Sequence, residues 1–103
     1  MLFHLDFYVE YPADMEQKEL FRIWAEEADA ALGSKDAGVV VDLWKAVGAR
    51  RVIAIVNVDG PDMLDQILLD LPIMKQHGQN VQVEVTALRR YEDFASDVKE
   101  RLG

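Results

Sequence analysis

Among the side chains of this sequence that could move a proton, Glu27 stands out by its position. It lies three residues after Trp24 and seven after Leu20, at the edge of the apolar stripe of a predicted helix. Partial burial raises the pKa of a carboxyl group, so a carboxylate there could act as a general base. It could equally pair with Arg22, with Lys45 or with a backbone donor.

A second group of titratable and aromatic side chains is predicted on one face of a sheet. In the predicted first strand, residues 2–11, apolar residues occupy the odd positions, so His4, Asp6 and Tyr8 share the other face. The same alternation adds side chains from the second and fourth strands: Asp42, Trp44, Gln82, Glu84 and Thr86. This face could hold a pocket for proton transfer. It could equally be the polar side of a half-solvated antiparallel sheet.

Periodicity and turn residues predict the elements that position these groups. Strands are predicted over residues 2–11, 38–47, 51–58 and 81–88, and helices over about 14–32, 61–71 and 92–102. Asp14 and Gln17 are predicted to form a capping box, and Met74 to Asn80 a polar loop. The order strand, helix, strand, strand, helix, strand is that of a ferredoxin-like βαββαβ sandwich, an α+β fold, here with an additional C-terminal helix. Both crossover helices would cover one sheet face and leave the other open.

Length, charge and composition limit the function classes. The 103 residues predict a single domain, 1–103, and a formal charge of −8 makes nucleic acid and anionic membranes unexpected partners. The chain has no cysteine, and its two histidines, His4 and His77, lack the spacing of a ligand pair, so no metal site is expected. No glycine-rich nucleotide loop is present, and no cofactor is expected. Without a targeting signal or an apolar membrane segment, cytoplasm is the expected location.

Segments in register from Met1 to Leu88 resemble the muconolactone Δ-isomerase family of aromatic-compound degradation. They are Met1-Leu2-Phe3-His4, Tyr11-Pro12-Ala13-Asp14-Met15, Glu26-Glu27, Leu43-Trp44-Lys45 with Gly48, Leu71-Pro72, and Val83-Glu84-Val85 with Leu88. The resemblance implies a ferredoxin-like domain of the dimeric α+β barrel type that assembles into a homodimer or a larger homo-oligomer.

The resemblance also implies a reaction, the cofactor-free allylic shift of a proton in an unsaturated lactone. A base removes the proton γ to the lactone carbonyl, the charge delocalises as a dienolate, and the proton returns at the α carbon. On this interpretation Glu27 is the base, and His4 and Tyr8 are donors to the developing oxyanion. The implied substrate-binding residues are Trp44, Lys45 as an anchor for the substrate carboxylate, Asp42 and Glu84.

Two departures from the family pattern bear on the substrate and on the C-terminal segment. Where the family usually has Arg-His before Leu-Trp, this chain has Val41-Asp42, and its C-terminal part has Arg90-Tyr91-Glu92 and a helix-like tail instead of His-Pro. Losing a cationic pair predicts slow turnover of muconolactone and a preference for a less acidic or bulkier lactone or enone. Other candidate cations are Arg50, Arg51 and Lys75.

Two other functions are compatible with the same pattern. One is a non-catalytic module that binds a small molecule on the open sheet face, and the other is an assembly protein whose interface covers that face. In each case at least a homodimer is expected, because an uncovered face with Trp44 and several valines exposes much apolar surface for a small monomer.

Overall fold

A four-stranded antiparallel sheet forms the base of the fold in the computed structural model, which describes residues 1–103. Its strands are β1 (Leu2–Val9), β2 (Val40–Lys45), β3 (Arg51–Asn57) and β4 (Val81–Leu88). They lie in the order β2-β3-β1-β4, so the first and third strands are central. This arrangement confirms the predicted ferredoxin-like α+β topology.

Four α-helices accompany the sheet. They are α1 (Gln17–Asp36), α2 (Pro61–Asp70), α3 (Pro72–His77) and α4 (Tyr91–Leu102). α1 and α2 connect strands as crossover helices, and α4 is the additional C-terminal helix that was predicted. No helix is both long enough and apolar enough to cross a membrane.

The prediction of a polar loop from Met74 to Asn80 is wrong. α3 and a 3-10 turn, Gly78–Asn80, occupy this segment. Pro72 takes the first helical position, where its missing N–H and fixed φ suit a helix start. Ile73 follows it and is buried, so packing holds this short helix in place.

α1 begins and ends later than predicted. Its N-cap is Glu16, which makes no side-chain capping bond, so the predicted capping box of Asp14 and Gln17 does not form. The helix continues through Gly33 to Asp36 and ends where Gly38 takes a φ of 85°. Glycine adopts this left-handed conformation without the steric cost that other residues incur.

The pairing register assigns each strand residue to a sheet face. Leu5 lies opposite Ala54 and Val85, which places these three side chains on the face that the helices cover. A bulge between Val40 and Asp42 leaves Val41 without a partner in β3. Beyond the bulge the alternation continues, so Asp42 and Trp44 share the uncovered face, as predicted.

The core under the helices consists of two separate groups of buried side chains. One contains Phe3, Leu5, Ala54, Val56, Val58 and Leu64, and the other contains Val9, Ile23 and Ile73. The first group joins α2 to the sheet, and the second joins α1 and α3 to the end of β1. Space remains between the groups, and this space is the candidate functional site.

Candidate active site

A cavity of about 600 Å³ lies between the sheet and the helices α1 and α2. Of its 22 lining residues 19 are hydrophobic. The cavity exists because α1 presents Ala28, Ala31 and Ser34 to the sheet, and these side chains are too short to fill the gap. Its size and apolar lining are typical of sites that bind small molecules.

The location of the cavity corrects the expectation of a pocket on the open sheet face. The cavity is bounded by the helix-covered face, which contributes Leu5, Phe7 and Val9 from β1. The prediction assumed that the helices pack closely on this face. Small residues on α1 prevent close packing, so the space lies beneath the helices instead.

Glu27 is the only carboxylate that lines the cavity. Its Oε2 accepts a hydrogen bond of 3.0 Å from the backbone N–H of Ile73, and Oε1 has no hydrogen-bond partner. Of the alternatives that the sequence left open, the backbone donor is therefore the one observed. Burial raises the pKa of Glu27, and the hydrogen bond from Ile73 opposes that rise without cancelling it. The free oxygen of this carboxylate can accept a proton, and the raised pKa makes it a stronger base than an exposed carboxylate.

Lys45 is the only cationic residue that lines the cavity. It lies opposite Val52 in the register, on the helix-covered face, and its Nζ lies 5.6 Å from the centre of the Trp24 ring. The ammonium group donates to the carbonyl oxygen of Ala46 at 2.9 Å and to that of Ala49. The side chain is exposed, so it can leave these turn carbonyls for an anionic ligand.

Trp44 also borders the cavity, although its pairing with Ile53 assigns its side chain to the other face. It lies on the edge strand and is 48% exposed. Three of the seven predicted site residues, Glu27, Trp44 and Lys45, are thus found at the cavity.

The other four predicted site residues, His4, Tyr8, Asp42 and Glu84, do not line the cavity. Alternation holds His4, Tyr8 and Glu84 on the opposite face, away from a ligand beneath the helices. Asp42, on the edge strand β2, forms an ion pair of 3.9 Å with Lys35 of α1. This corrects the implied arrangement, in which Glu27 shared one pocket with these groups.

On that face Asp6 forms a structural cluster with Arg51 and Tyr8. Asp6 is buried and accepts two bonds from the Arg51 guanidinium, at 2.8 and 2.7 Å, and one from the Tyr8 hydroxyl at 3.1 Å. The hydrogen bonds from Arg51 lower the pKa of Asp6, so the pair stays ionised. Tyr8 therefore donates to a carboxylate of the protein.

Sequence reasoning missed an aromatic cluster next to Glu27. The ring of Tyr11 lies 6.1 Å from that of Trp24 and 6.2 Å from that of His77, and the Arg50 guanidinium lies 5.4 Å from the Tyr11 ring. Burial raises the pKa of Tyr11 to about 12, and its buried hydroxyl has no hydrogen-bond partner. The alternation of the first strand already predicted Tyr11 on the helix side. An aromatic residue at such a position is indistinguishable in the sequence from an ordinary core residue.

The fold and the cavity define a small α+β protein with one candidate base and one cation in an apolar chamber. A sequence model described as muconolactone delta-isomerase matches residues 1–93. Muconolactone Delta-isomerase 2 of Acinetobacter lwoffii is 30% identical over 97 residues, which are 94% of this chain and 97% of that protein. Muconolactone Delta-isomerase of Rhodococcus opacus is 29% identical over 98 residues, 95% of this chain and 98% of that protein.

A solved structure supports the same relationship. The crystal structure of a muconolactone isomerase is similar with a TM-score of 0.74 at 27% sequence identity, covering 87% of this chain and 90% of that chain. The chain belongs to the muconolactone delta-isomerase family. The prediction of an isomerase is thereby confirmed, and the alternative of a non-catalytic binding module is not favoured.

Proposed function

We propose that this protein catalyses a cofactor-free allylic proton shift in a muconolactone-type lactone, with Glu27 as the base. The observation that carries the proposal is the Glu27 carboxylate itself, which has one oxygen held and one free in an apolar cavity. Both relatives are named as muconolactone Delta-isomerases, which supports this reaction.

The proposed reaction needs a single group that takes up a proton and returns it. Oε1 of Glu27 removes the proton γ to the lactone carbonyl, and the electron pair of that C–H bond delocalises into a dienolate. The now neutral Glu27 gives the same proton to the α carbon, which restores the carboxylate and moves the double bond. The bond from Ile73 to Oε2 fixes the carboxylate during both steps, which lowers the entropic cost of each transfer.

Lys45 is the proposed anchor for a substrate carboxylate. It is the only cation in the lining, and a lysine offers a flexible point charge rather than the two-bond fork of an arginine. Asp42 does not line the cavity, and its ion pair of 3.9 Å with Lys35 offsets its charge, so it does not repel an anionic arm as the sequence suggested.

The apolar lining supports a substrate that is less acidic or bulkier than muconolactone. Hydrophobic residues make up 19 of the 22 lining positions, so most of a bound ligand would contact apolar groups. A substrate carboxylate would find only Lys45, whose ammonium group already donates to the carbonyl oxygens of Ala46 and Ala49, so an acidic arm gains little there. The prediction of a less acidic or bulkier lactone or enone therefore stays. Its reason is now the apolar lining of the cavity and no longer the charge of Asp42.

Comparing kcat/KM for muconolactone with kcat/KM for its methyl ester tests both parts of the proposal. Isomerisation of either compound by the purified chain supports the reaction, and a higher value for the ester supports the substrate preference. Preference for the free acid would overturn the substrate preference alone. Absence of isomerisation with both would contradict the proposed reaction.

We also propose a cytoplasmic homodimer that forms through the uncovered sheet face. Trp44 and Leu88 expose apolar surface there, 48% and 39% of each residue respectively, while the Asp6–Arg51 pair occupies the middle of the face. Exposed apolar patches of this kind mark interaction surfaces.

A further inference from the structure

α4 is the element that the rest of the domain leaves unpartnered. None of its residues belongs to either buried core group, and no other helix or strand packs extensively against it. The molecule is 61 Å long, whereas the 20-residue α1 is only about 30 Å long. The extra length indicates that α4 projects away from the sheet and its helices. An exposed ion pair of 2.6 Å joins Arg89, the residue after β4, to Asp97 of α4.

An apolar stripe runs along the whole length of α4. It consists of Tyr91, Phe94, Val98 and Leu102, which recur at helical spacing and are 74%, 45%, 43% and 85% exposed. A helix of 12 residues with such a stripe gains little by standing alone in water, because helices of this length depend on packing of their apolar face. The stripe therefore needs a partner surface.

The charges of α4 indicate what that partner is. Its first turn is acidic, with Glu92 and Asp93, and its last turn holds Lys99 and Arg101 with Glu100 between them, which leaves that end with a net positive charge. A second α4 running in the opposite direction presents the complementary charge at each end. The uncovered sheet face does not, because its Glu84 would repel the acidic end and its Arg51 is already paired with Asp6.

We infer that α4 pairs with α4 of a second copy of this chain in an antiparallel arrangement, with the two-fold axis passing near Ser96. Phe94 then packs against the partner's Val98, and Tyr91 against the partner's Leu102. Glu92 lies beside the partner's Lys99 on one flank of the pair. Asp93 lies beside the partner's Arg101 on the other flank.

This interface is separate from the proposed catalytic site and from the sheet-face dimer. The family sequence model ends at residue 93, so most of α4 lies outside the matched region. Two 12-residue stripes bury less area than a typical stable interface of about 800 Å² per partner. The pairing is therefore expected to act together with the sheet-face contact rather than to replace it.

The first experiment compares V98D with V47D by sedimentation velocity. Val47 is fully exposed in the turn between β2 and β3, so V47D adds the same charge away from α4. In the wild type the α4 pairs would join two of the proposed sheet-face dimers, so V98D is expected to halve the mass of the assembly to that of one dimer, while V47D keeps the wild-type mass and both keep the wild-type circular dichroism spectrum. A wild-type mass for V98D at the same concentration would overturn the inference.

A charge exchange tests the direction of pairing. E92K and K99E each place like charges together on one flank and are expected to weaken the assembly, whereas the double variant restores opposite charges and the wild-type mass. Failure of the double variant to recover would contradict the antiparallel arrangement.

Cysteine cross-linking tests the same geometry directly, because the chain has no cysteine of its own. Antiparallel pairing brings the two Ala95 residues close together near the axis but separates the two Leu102 residues by about 17 Å along it. A short bismaleimide should therefore link A95C and leave L102C unlinked. Linking of both variants would indicate parallel helices, and linking of neither would indicate no pairing.

Discussion

The Glu27 carboxylate accepts a hydrogen bond of 3.0 Å from the backbone N–H of Ile73, in the first turn of α3. The first N–H groups of a helix have no partner within the helix, so Glu27 satisfies one of them from α1. The same bond holds the carboxylate in one orientation and leaves its second oxygen free. A structural contact and a catalytic group are thus combined in a single side chain.

The pH dependence of the reaction should report the raised pKa of Glu27. The base must be ionised, so kcat/KM is expected to fall as the pH drops through the pKa of Glu27, with a midpoint above the ordinary value of 4.5. The rise comes first from burial, and the Ile73 hydrogen bond opposes it. A neutral ester substrate keeps substrate ionisation out of the profile. A midpoint at or below 4.5 would show that Glu27 is not the titrating base.

Filling the cavity should stabilise the protein and impair the reaction. Ala31 lines the cavity from α1, and A31L is expected to raise the free energy of unfolding by about 1 kcal/mol while lowering kcat/KM most for the bulkier substrate. A25L is the matched control, because Ala25 is exposed and does not line the cavity. Thermal denaturation and steady-state kinetics measure the two effects. Equal activity of A31L and A25L would place the substrate outside this cavity.

The sheet-face dimer should be sensitive to a charge in the centre of that face. Ile53 lies between Asp6 and Trp44 in the sheet, so I53K is expected to lower the mass measured by light scattering. F21K introduces the same charge at an exposed apolar residue of α1 and should leave the mass unchanged. Combined with V98D, I53K should give a monomer of about 12 kDa, close to the 11.7 kDa of the chain. A wild-type mass for I53K would exclude this face as an interface.

The fold could be predicted from the sequence because the hydrophobic alternation of a strand is a local pattern and the order of strands and helices restricts the topology. Alternation in β1 and β4 identified the buried face, and the order of elements then left few topologies. α3 was missed because only Ile73 in it is buried, so its helical period is almost invisible in the sequence. The end of α1 was misjudged because Gly33 lies inside the helix and Gly38 terminates it.

The candidate site was only partly predictable. The position of Glu27 on the apolar stripe identified it, because helical spacing determines which face a residue occupies. The wrong sheet face was chosen for the pocket because spacing shows where side chains point but not how closely two layers pack. The small residues Ala28, Ala31 and Ser34 were the signal for a gap beneath α1.

The most direct test of the central claim compares E27Q with E26Q. Glutamine at 27 can still accept the Ile73 hydrogen bond but cannot act as a base, and Glu26 is an exposed neighbour that bonds Arg22 and Gln76 instead. E27Q is expected to lose at least about 100-fold in kcat/KM with an unchanged thermal transition, whereas E26Q keeps the wild-type rate. A wild-type rate for E27Q would contradict the assignment of Glu27 as the base.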